Sequence, residues 1–179
     1  MEEMVDKLNS DGTPTGEIVS KKDAHKNGFW HRAAHVWFVN SNNEILLQKR
    51  ADNIESHPGE YDISAAGHLV AGDSFIKGAL REVKEELGVE LEEKDLVKIG
   101  ELHSESTQHE GRYINKEYND VYVVKKDIPI SDFVIQESEV SLVKYLSLEE
   151  FKKWIREKRS DIVMHPKEFE LLFDYLDVE

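Results

Sequence analysis

The chain has 179 residues, of which 39% are hydrophobic and 34% charged, and its formal net charge is −14 with no cysteine. This length suits one folded domain with a sizeable core, and the lack of cysteine excludes disulfides, thiolate metal sites and cysteine nucleophiles. The negative charge disfavours nucleic-acid polymers and anionic membranes, which need a basic surface. A small phosphorylated ligand stays compatible, because Mg²⁺ can bridge an acidic protein and an acidic ligand.

The beginning of the chain, MEEMVDKLNSDG, is acidic and polar, unlike a secretory signal or a transit peptide. No apolar run approaches the length of a membrane span. We therefore expect a cytoplasmic protein with a single domain over residues 1–179. Its ends are predicted to be an N-terminal hairpin extension over 1–25 and a C-terminal helix over 166–177.

The first half of the chain reads as strands joined by turns. MVDKLN and EIVSK flank the turn-rich SDGTPTG, which predicts a first hairpin. AAHVWFV and EILLQKR flank NSNN and predict a second hairpin. YDISAAGHL is a further strand candidate.

The second half begins with a predicted helix over residues 75–87, followed by the strand candidates LVKIGELHS, EYNDVYVVK and VSLVKYL. Ser147 and Glu150 form a capping box ahead of a helix in FKKWIREK, and Pro166 suits the first turn of the last helix. Strands throughout the chain with a few interspersed helices indicate an α/β or α+β domain with a mixed sheet.

The helix over 75–87 has two contrasting faces. Four apolar residues at spacings of three and four should pack on the sheet: Ile76, Leu80, Val83 and Leu87. Three glutamates should cluster on roughly the opposite, polar side: Glu82, Glu85 and Glu86. Gly88 follows at the position of a C-cap glycine.

The glutamates near the end of this helix face the negative end of the helix dipole, which is unfavourable by about 0.3–1 kcal/mol each. One interpretation is a solvated acidic face, offset by Lys84 and Arg81. The other is a bound cation, with oxygen ligands of the kind that Mg²⁺ or Mn²⁺ prefers. Gly78 favours the second interpretation, because a mid-helix glycine costs ~1 kcal/mol and suggests that something approaches the backbone there.

The stretch from Gly67 to Val89 resembles the Nudix box, G-x5-E-x7-R-E-U-x-E-E-x-G-U, where U is aliphatic. Eight of the nine defined positions match, and Asp73 replaces the usual first glutamate. The resemblance implies an α/β/α sandwich and a Mg²⁺- or Mn²⁺-dependent hydrolase. Its substrate would be a nucleoside diphosphate derivative or another small organic diphosphate, cleaved at the diphosphate linkage.

The same resemblance assigns roles within the box. Glu85 and Glu86 correspond to the chief metal ligands and Gly67 to a carbonyl ligand. Glu82 corresponds to a metal ligand or to the base that acts on the attacking water, and Arg81 would orient the carboxylates. Glu82, Arg81 and Glu85 are thus the predicted catalytic residues.

The stretch from residue 31 to residue 69 is similar to the isopentenyl diphosphate isomerases, a branch of the same superfamily. Several residues fall where those enzymes bind metal or diphosphate: His25, His31, His68, Asp120, Lys49 and Arg50. We expect His31, His68, Lys49 and Arg50 to contact the substrate, although a lone histidine is often a core residue. Ala66 stands at the position of the isomerase cysteine, which argues against carbon acid–base chemistry.

A carboxylate from a later strand could complete the metal site, and Glu117 and Asp120 are the candidates. Asp120 enters the predicted metal set, with solvent exposure on an edge strand as the alternative. Three functions remain open: a hydrolase, an isomerase-like enzyme and a Nudix domain that binds a ligand without turnover. For partners we expect a small-molecule diphosphate, no nucleic-acid polymer and no membrane, and a homodimer is left open.

Overall fold

The computed structural model describes residues 2–177, which form nine strands and four α-helices. The strands are β1 (Met4–Leu8), β2 (Pro14–Ser20), β3 (His31–Val39), β4 (Glu44–Arg50), β5 (Tyr61–Asp62), β6 (Ala65–His68), β7 (Val97–Gln108), β8 (Tyr113–Lys125) and β9 (Val140–Ser147). The helices are α1 (Lys21–Asn27), α2 (Phe75–Leu87), α3 (Leu148–Arg156) and α4 (Pro166–Asp177).

Strands β3 to β9 form one mixed sheet with helices on both faces. The order is β5-β4-β3-β8-β7, with β6 also on β3 and β9 also on β4, and β3 runs parallel to β8. Alternate side chains of a strand point to opposite faces, so Trp37 packs with α3 and α4 whereas Val36 and Phe38 pack with α2. The predicted α/β class and the sandwich with a mixed sheet are confirmed.

The second predicted hairpin is correct only at its turn. β3 and β4 pair at Val39 and Ile45 and then diverge. Beyond that point β3 pairs with β6, and β4 pairs with β5. The predicted strand in YDISAAGHL is therefore two short strands. Ser64 lies between them at the fork, where its hydroxyl donates to Leu46 O and accepts from Phe38 N. The gap between the diverging strands is the floor of a large cleft.

Helix α2 has the predicted bounds, with Ser74 as N-cap and Gly88 as a left-handed C-cap at φ 69°. Its buried face differs from the prediction. Leu80 is only half-buried, and Ala79 takes its place in the core with Val83. The predicted opening at Gly78 is also wrong, because a Cβ there would lie 2.7 Å from Leu69 Cγ. The missing side chain accommodates a neighbouring leucine, and no ligand is needed to explain it.

The predicted N-terminal extension contains a helix that the hairpin prediction missed. Ser20 caps α1 by accepting from Asp23 N, and Gly28 ends the helix in the left-handed region at φ 66°. Ahead of α1, β1 and β2 pair antiparallel as predicted. α1 carries His25 into the interior, where this side chain is 5% exposed. No helix among the described residues is long and apolar enough to cross a membrane.

Candidate active site

The cleft between the diverging strands has a volume of about 2340 Å³. Polar and charged side chains from seven elements line it, together with Gly67 of β6 and His165 just ahead of α4. They include His35, Gln48, Arg50, Asp62, His68, Glu82, Glu85, Glu86, Glu117, Asn119 and Glu168. The cleft therefore joins the end of α2 with strands from both halves of the sheet.

Two of the α2 glutamates lie against β6 and not in solvent. Glu82 is 7% exposed and Glu86 is 4% exposed, whereas Glu85 is exposed. The Glu82 carboxylate occupies the space that a side chain at Gly67 would fill. Glu86 Oε2 accepts hydrogen bonds from Ala66 N and Gln48 Nε2, each at 3.1 Å. The alternative of a solvated acidic face therefore fits Glu85 but not Glu82 or Glu86.

Burial governs the charge of these two carboxylates, of which only Glu82 has a cationic side chain, Arg81, beside it. Desolvation raises the pKa of Glu82 to about 7, with Arg81 opposing the shift. Desolvation and the neighbouring Glu82 raise the pKa of Glu86 well above its usual range. Since buried charges are costly unless paired, a divalent cation between these oxygens and the Gly67 backbone would relieve both groups. The donor set, carboxylates and a carbonyl, is the one that Mg²⁺ or Mn²⁺ prefers.

Arg81 connects the glutamates to the loop before the helix. Its Nη1 lies 2.7 Å from Glu82 Oε1 and 2.9 Å from Glu85 Oε2, and its Nη2 donates to His68 O at 2.7 Å. Asp73, the departure from the box pattern, lies with Oδ2 3.8 Å from Arg81 Nε. The shorter aspartate thus still faces Arg81, and Arg81 is placed to orient the carboxylates.

A second cluster of ligand-type groups adjoins the first, because it includes His68, the neighbour of Gly67 in β6. His25, His31, His68 and Glu117 each offer one ligand atom, and these atoms lie within 4.8 Å of one another. They come from α1, β3, β6 and β8, so only the fold brings them together. His31 donates from Nδ1 to Phe29 O at 2.8 Å, which leaves its buried Nε2 without a hydrogen-bond partner. His68 Nε2 lies 3.0 Å from Glu117 Oε1.

The histidine cluster is electrostatically suited to a cation. Desolvation lowers the pKa of His25 to about 3 and that of His31 to about 4, so both are neutral imidazoles at pH 7. Burial opposes ionisation of Glu117, but the hydrogen bond and charge of His68 outweigh it and lower the pKa of this carboxyl. Neutral imidazoles and a carboxylate are the protonation states that a transition metal binds.

Asp120 does not belong to either cluster. Alternate residues of β8 face opposite sides, so Asp120 lies on the α2 face with Tyr122 whereas Glu117 faces the cleft. Its Oδ2 is paired with Lys98 Nζ at 2.8 Å and accepts from the Tyr122 hydroxyl at 3.1 Å. The structure does not bring the predicted metal ligand Asp120 to either cluster, and Glu117 is the downstream carboxylate that reaches the cleft.

The two predicted basic residues of β4 also separate by alternation. Arg50 lines the cleft, where its Nη1 lies 3.2 Å from Asp62 Oδ2. Lys49 points away from the cleft, with Nζ 5.9 Å from the centre of the Tyr61 ring. Of the two basic residues predicted to contact substrate, the structure brings Arg50 but not Lys49 to the cleft. His31 and His68 lie in the histidine cluster, at the position of metal ligands.

Sequence reasoning missed several cleft residues. Gln48 donates a hydrogen bond to Glu86, and Asp62 accepts one from Arg50. Glu168 of α4 accepts from Trp37 Nε1 and forms a hydrogen bond with His35 Nδ1, both at 2.8 Å. None of them lies in a motif. Only the polar character of Gln48 and Asp62 within strands could have drawn attention to them.

Comparison with known proteins agrees with this geometry. The sequence profile of the NUDIX domain matches residues 29–165, and the chain belongs to this family. Nudix hydrolase 3 of Arabidopsis thaliana is 40% identical over 98% of this chain, which spans 23% of that protein. An uncharacterized Nudix hydrolase of Clostridium acetobutylicum is 30% identical over 78% of this chain and 68% of its own length. Isopentenyl-diphosphate Delta-isomerase 1 of Mesocricetus auratus is 27% identical over 87% and 74%.

Solved structures share the fold. DR0079 of Deinococcus radiodurans superposes with a TM-score of 0.68 at 18% identity, over 94% of this chain and 97% of that one. The NUDIX domain of Shewanella oneidensis NrtR, solved with ADP ribose, gives 0.60 at 15% identity over 80% and 86%. At these identities the likeness concerns the fold alone.

Proposed function

We propose that this chain is a divalent-metal-dependent pyrophosphohydrolase. Its substrate is a nucleoside diphosphate derivative or another small organic diphosphate, cleaved at the diphosphate linkage. The observation that carries the proposal is the pair of buried carboxylates, Glu82 and Glu86, beside the Gly67 backbone. Their charge is not balanced by the chain itself, since Arg81 contacts Glu82 but Glu86 has only neutral donors.

The proposed metal ligands are the Gly67 carbonyl, Glu82, Glu85 and Glu86. A bound divalent cation would neutralise charge on the phosphoryl oxygens and lower the pKa of a bound water. Arg81 holds Glu82 and Glu85 in place, because its Nη1 lies within 3 Å of a carboxylate oxygen of each. Mg²⁺ or Mn²⁺ suits the oxygen donors.

The chain's own groups supply the remaining chemistry. The water oxygen forms a bond to phosphorus while the bridging phosphorus–oxygen bond breaks, and the leaving oxygen takes a proton. Glu82 accepts the proton of the water, because its carboxylate lies in the cleft beside the Gly67 backbone, within the proposed metal site. Arg50 binds the phosphate oxygens that face away from α2.

The histidine cluster favours a second candidate, an isomerase-like enzyme with its metal at His25, His31, His68 and Glu117. The cluster is also compatible with a hydrolase that binds substrate or a second metal there. Ala66 argues against an isomerase, because it occupies the position at which the similar isomerases carry a cysteine, and this chain has no cysteine. A binding module without turnover would not need all three α2 glutamates.

Reaction in ¹⁸O-labelled water distinguishes these functions. We first screen phosphate release from nucleotide sugars, dinucleotides, nucleoside diphosphates and triphosphates, and prenyl diphosphates with Mg²⁺. The best substrate is then cleaved in ¹⁸O-water, and the label should appear on a released phosphate or phosphomonoester. Isopentenyl diphosphate isomerised without cleavage, with hydrogen exchanged from deuterated solvent, would contradict the hydrolase and support the second candidate.

A further inference from the structure

Two buried carboxylates outside the α2 site connect the first turn of α4 to the walls of the cleft. Asp62 is 7% exposed and Glu168 is 2% exposed. Asp62 Oδ1 lies 2.8 Å from His165 Nε2, while Asp62 Oδ2 accepts from Arg50 Nη1. One carboxylate on β5 therefore holds two cationic groups that both line the cleft.

Arg50 is fixed at two points of its guanidinium. Nε donates to the Ser56 carbonyl at 2.9 Å and Nη1 to Asp62 at 3.2 Å. Within residues 2–177, no protein acceptor meets Nη2, although the side chain borders the cleft. A planar guanidinium that is held through two of its nitrogens presents the third in a fixed direction, which suits recognition of a phosphate oxygen.

The other histidine–carboxylate pair fixes the same turn of α4 to the opposite half of the sheet. Glu168 bonds His35 Nδ1 and Trp37 Nε1 of β3, each at 2.8 Å. The His165 and His35 rings lie 6.0 Å apart between their centres. Since β3 and β5 belong to the two diverging halves, the first turn of α4 joins both walls of the cleft. Arg50, however, contacts only the Asp62 side of this arrangement.

Protonation agrees with a cationic wall. Burial opposes the charge on His165, but Asp62 outweighs it and raises the pKa of the imidazole. Burial likewise opposes ionisation of Asp62, yet His165 and then Arg50 lower the pKa of this carboxyl. Asp62 therefore favours the protonated form of His165 while it also holds the Arg50 guanidinium.

We propose that Asp62 and His165 are positioning residues that aim Arg50 at the substrate phosphate lying away from the α2 carboxylates. The proposal rests on the function proposed above and adds a specific task for β5 and α4. In this proposal the phosphate away from α2 is bound by an arginine whose side chain is already ordered before the substrate arrives. The entropy cost of ordering a long arginine side chain therefore does not oppose binding. The α4 turn would then influence substrate affinity without touching the bond that is cleaved.

The test measures binding and not turnover. Calorimetry with Mg²⁺ and methylenediphosphonate, a diphosphate that cannot be hydrolysed at its bridge, gives the Kd of the full chain and its variants. Asp62→Asn should raise this Kd by about 10- to 100-fold, as expected for a residue that orients a binding group. In the Arg50→Ala background the same change should have no further effect on Kd.

Glu168→Gln is the matched control, because it removes a buried carboxylate from the same α4 turn without contact to Arg50. It should destabilise the chain but leave the Kd within about twofold, a change below 0.5 kcal/mol. If Asp62→Asn fails to fold, His165→Gln enters the same cycle. Equal effects of Asp62→Asn with and without Arg50, or no binding of the diphosphonate by the unchanged protein, would overturn the proposal. Loss of ¹⁸O incorporation with an intact binding cycle would instead contradict only the hydrolase.

Discussion

The α2 carboxylates and the histidine cluster, which meet at Gly67 and His68 of β6, are built in different ways. The α2 carboxylates, with Gly67 and Arg81, come from one continuous stretch of 23 residues, and helical spacing places them side by side. The histidine cluster takes one residue from each of four elements and exists only when α1, β3, β6 and β8 are assembled. The first can be recognised as a motif, and the second requires the fold.

The two clusters also differ in charge. At α2, burial leaves Glu82 and Glu86 with raised pKa values and no balancing cation at Glu86. In the histidine cluster, burial lowers the pKa values of His25 and His31, and the pKa of the neighbouring Glu117 carboxyl is lowered as well. Oxygen ligands favour Mg²⁺ or Mn²⁺ at the first, and imidazoles favour a transition metal at the second. Variants that affect one cluster and spare the other can therefore separate their roles.

The largest effect is expected from Glu86→Gln. Turnover should fall about 10²- to 10³-fold, because a buried ligand for the charge-neutralising cation is lost. The metal-free protein should unfold at the same or a higher temperature, since a buried carboxylate with a raised pKa has become neutral. Steady-state kinetics and thermal unfolding with and without Mg²⁺ measure both. Glu90→Gln, at an exposed position beside the box, is the control, and near-normal turnover of Glu86→Gln would contradict the α2 site.

Folding and chemistry on the same helix are separated by Leu87→Ala. Leu87 is 0% exposed in the core between α2 and the sheet, and its truncation should cost about 2–5 kcal/mol of unfolding free energy. Leu80→Ala should cost about 1 kcal/mol or less, because the side chain is only half-buried. Urea unfolding measures the free energy of unfolding of both variants. A larger loss at Leu80 would mean that the predicted apolar face was correct after all.

The histidine cluster is tested by Glu117→Gln. Calorimetry with Mn²⁺ should resolve two classes of site in the unchanged protein, and this variant should weaken one of them by about 10- to 100-fold. Glu86→Gln should weaken the other class. If both variants affected a single class, the clusters would hold one shared metal and the contrast between them would disappear.

The box explains how much of the site is predictable from sequence. The bounds of α2 and its caps follow from local spacing and capping residues, and they match the structure. Which side of α2 is buried depends on β6, because Glu82 lies over Gly67, 15 residues earlier in the chain. Glu117 and Asp120 point to opposite faces of β8, so only one of them can face the cleft. The sequence alone does not say which one, because that depends on the register of β8 against β3.

The same alternation separates neighbours on β4 and gives the smallest expected effect. Lys49 faces Tyr61 outside the cleft, whereas Arg50 faces Asp62 inside it. Lys49→Ala should therefore leave kcat/KM within about twofold, as for a surface residue. Arg50→Ala, the matched comparison one residue away, should reduce kcat/KM by at least about tenfold, since a charged phosphate contact contributes about 1.5–3 kcal/mol. Equal losses in the two variants would show that both residues contact the substrate. The placement of Lys49 outside the cleft would then be contradicted.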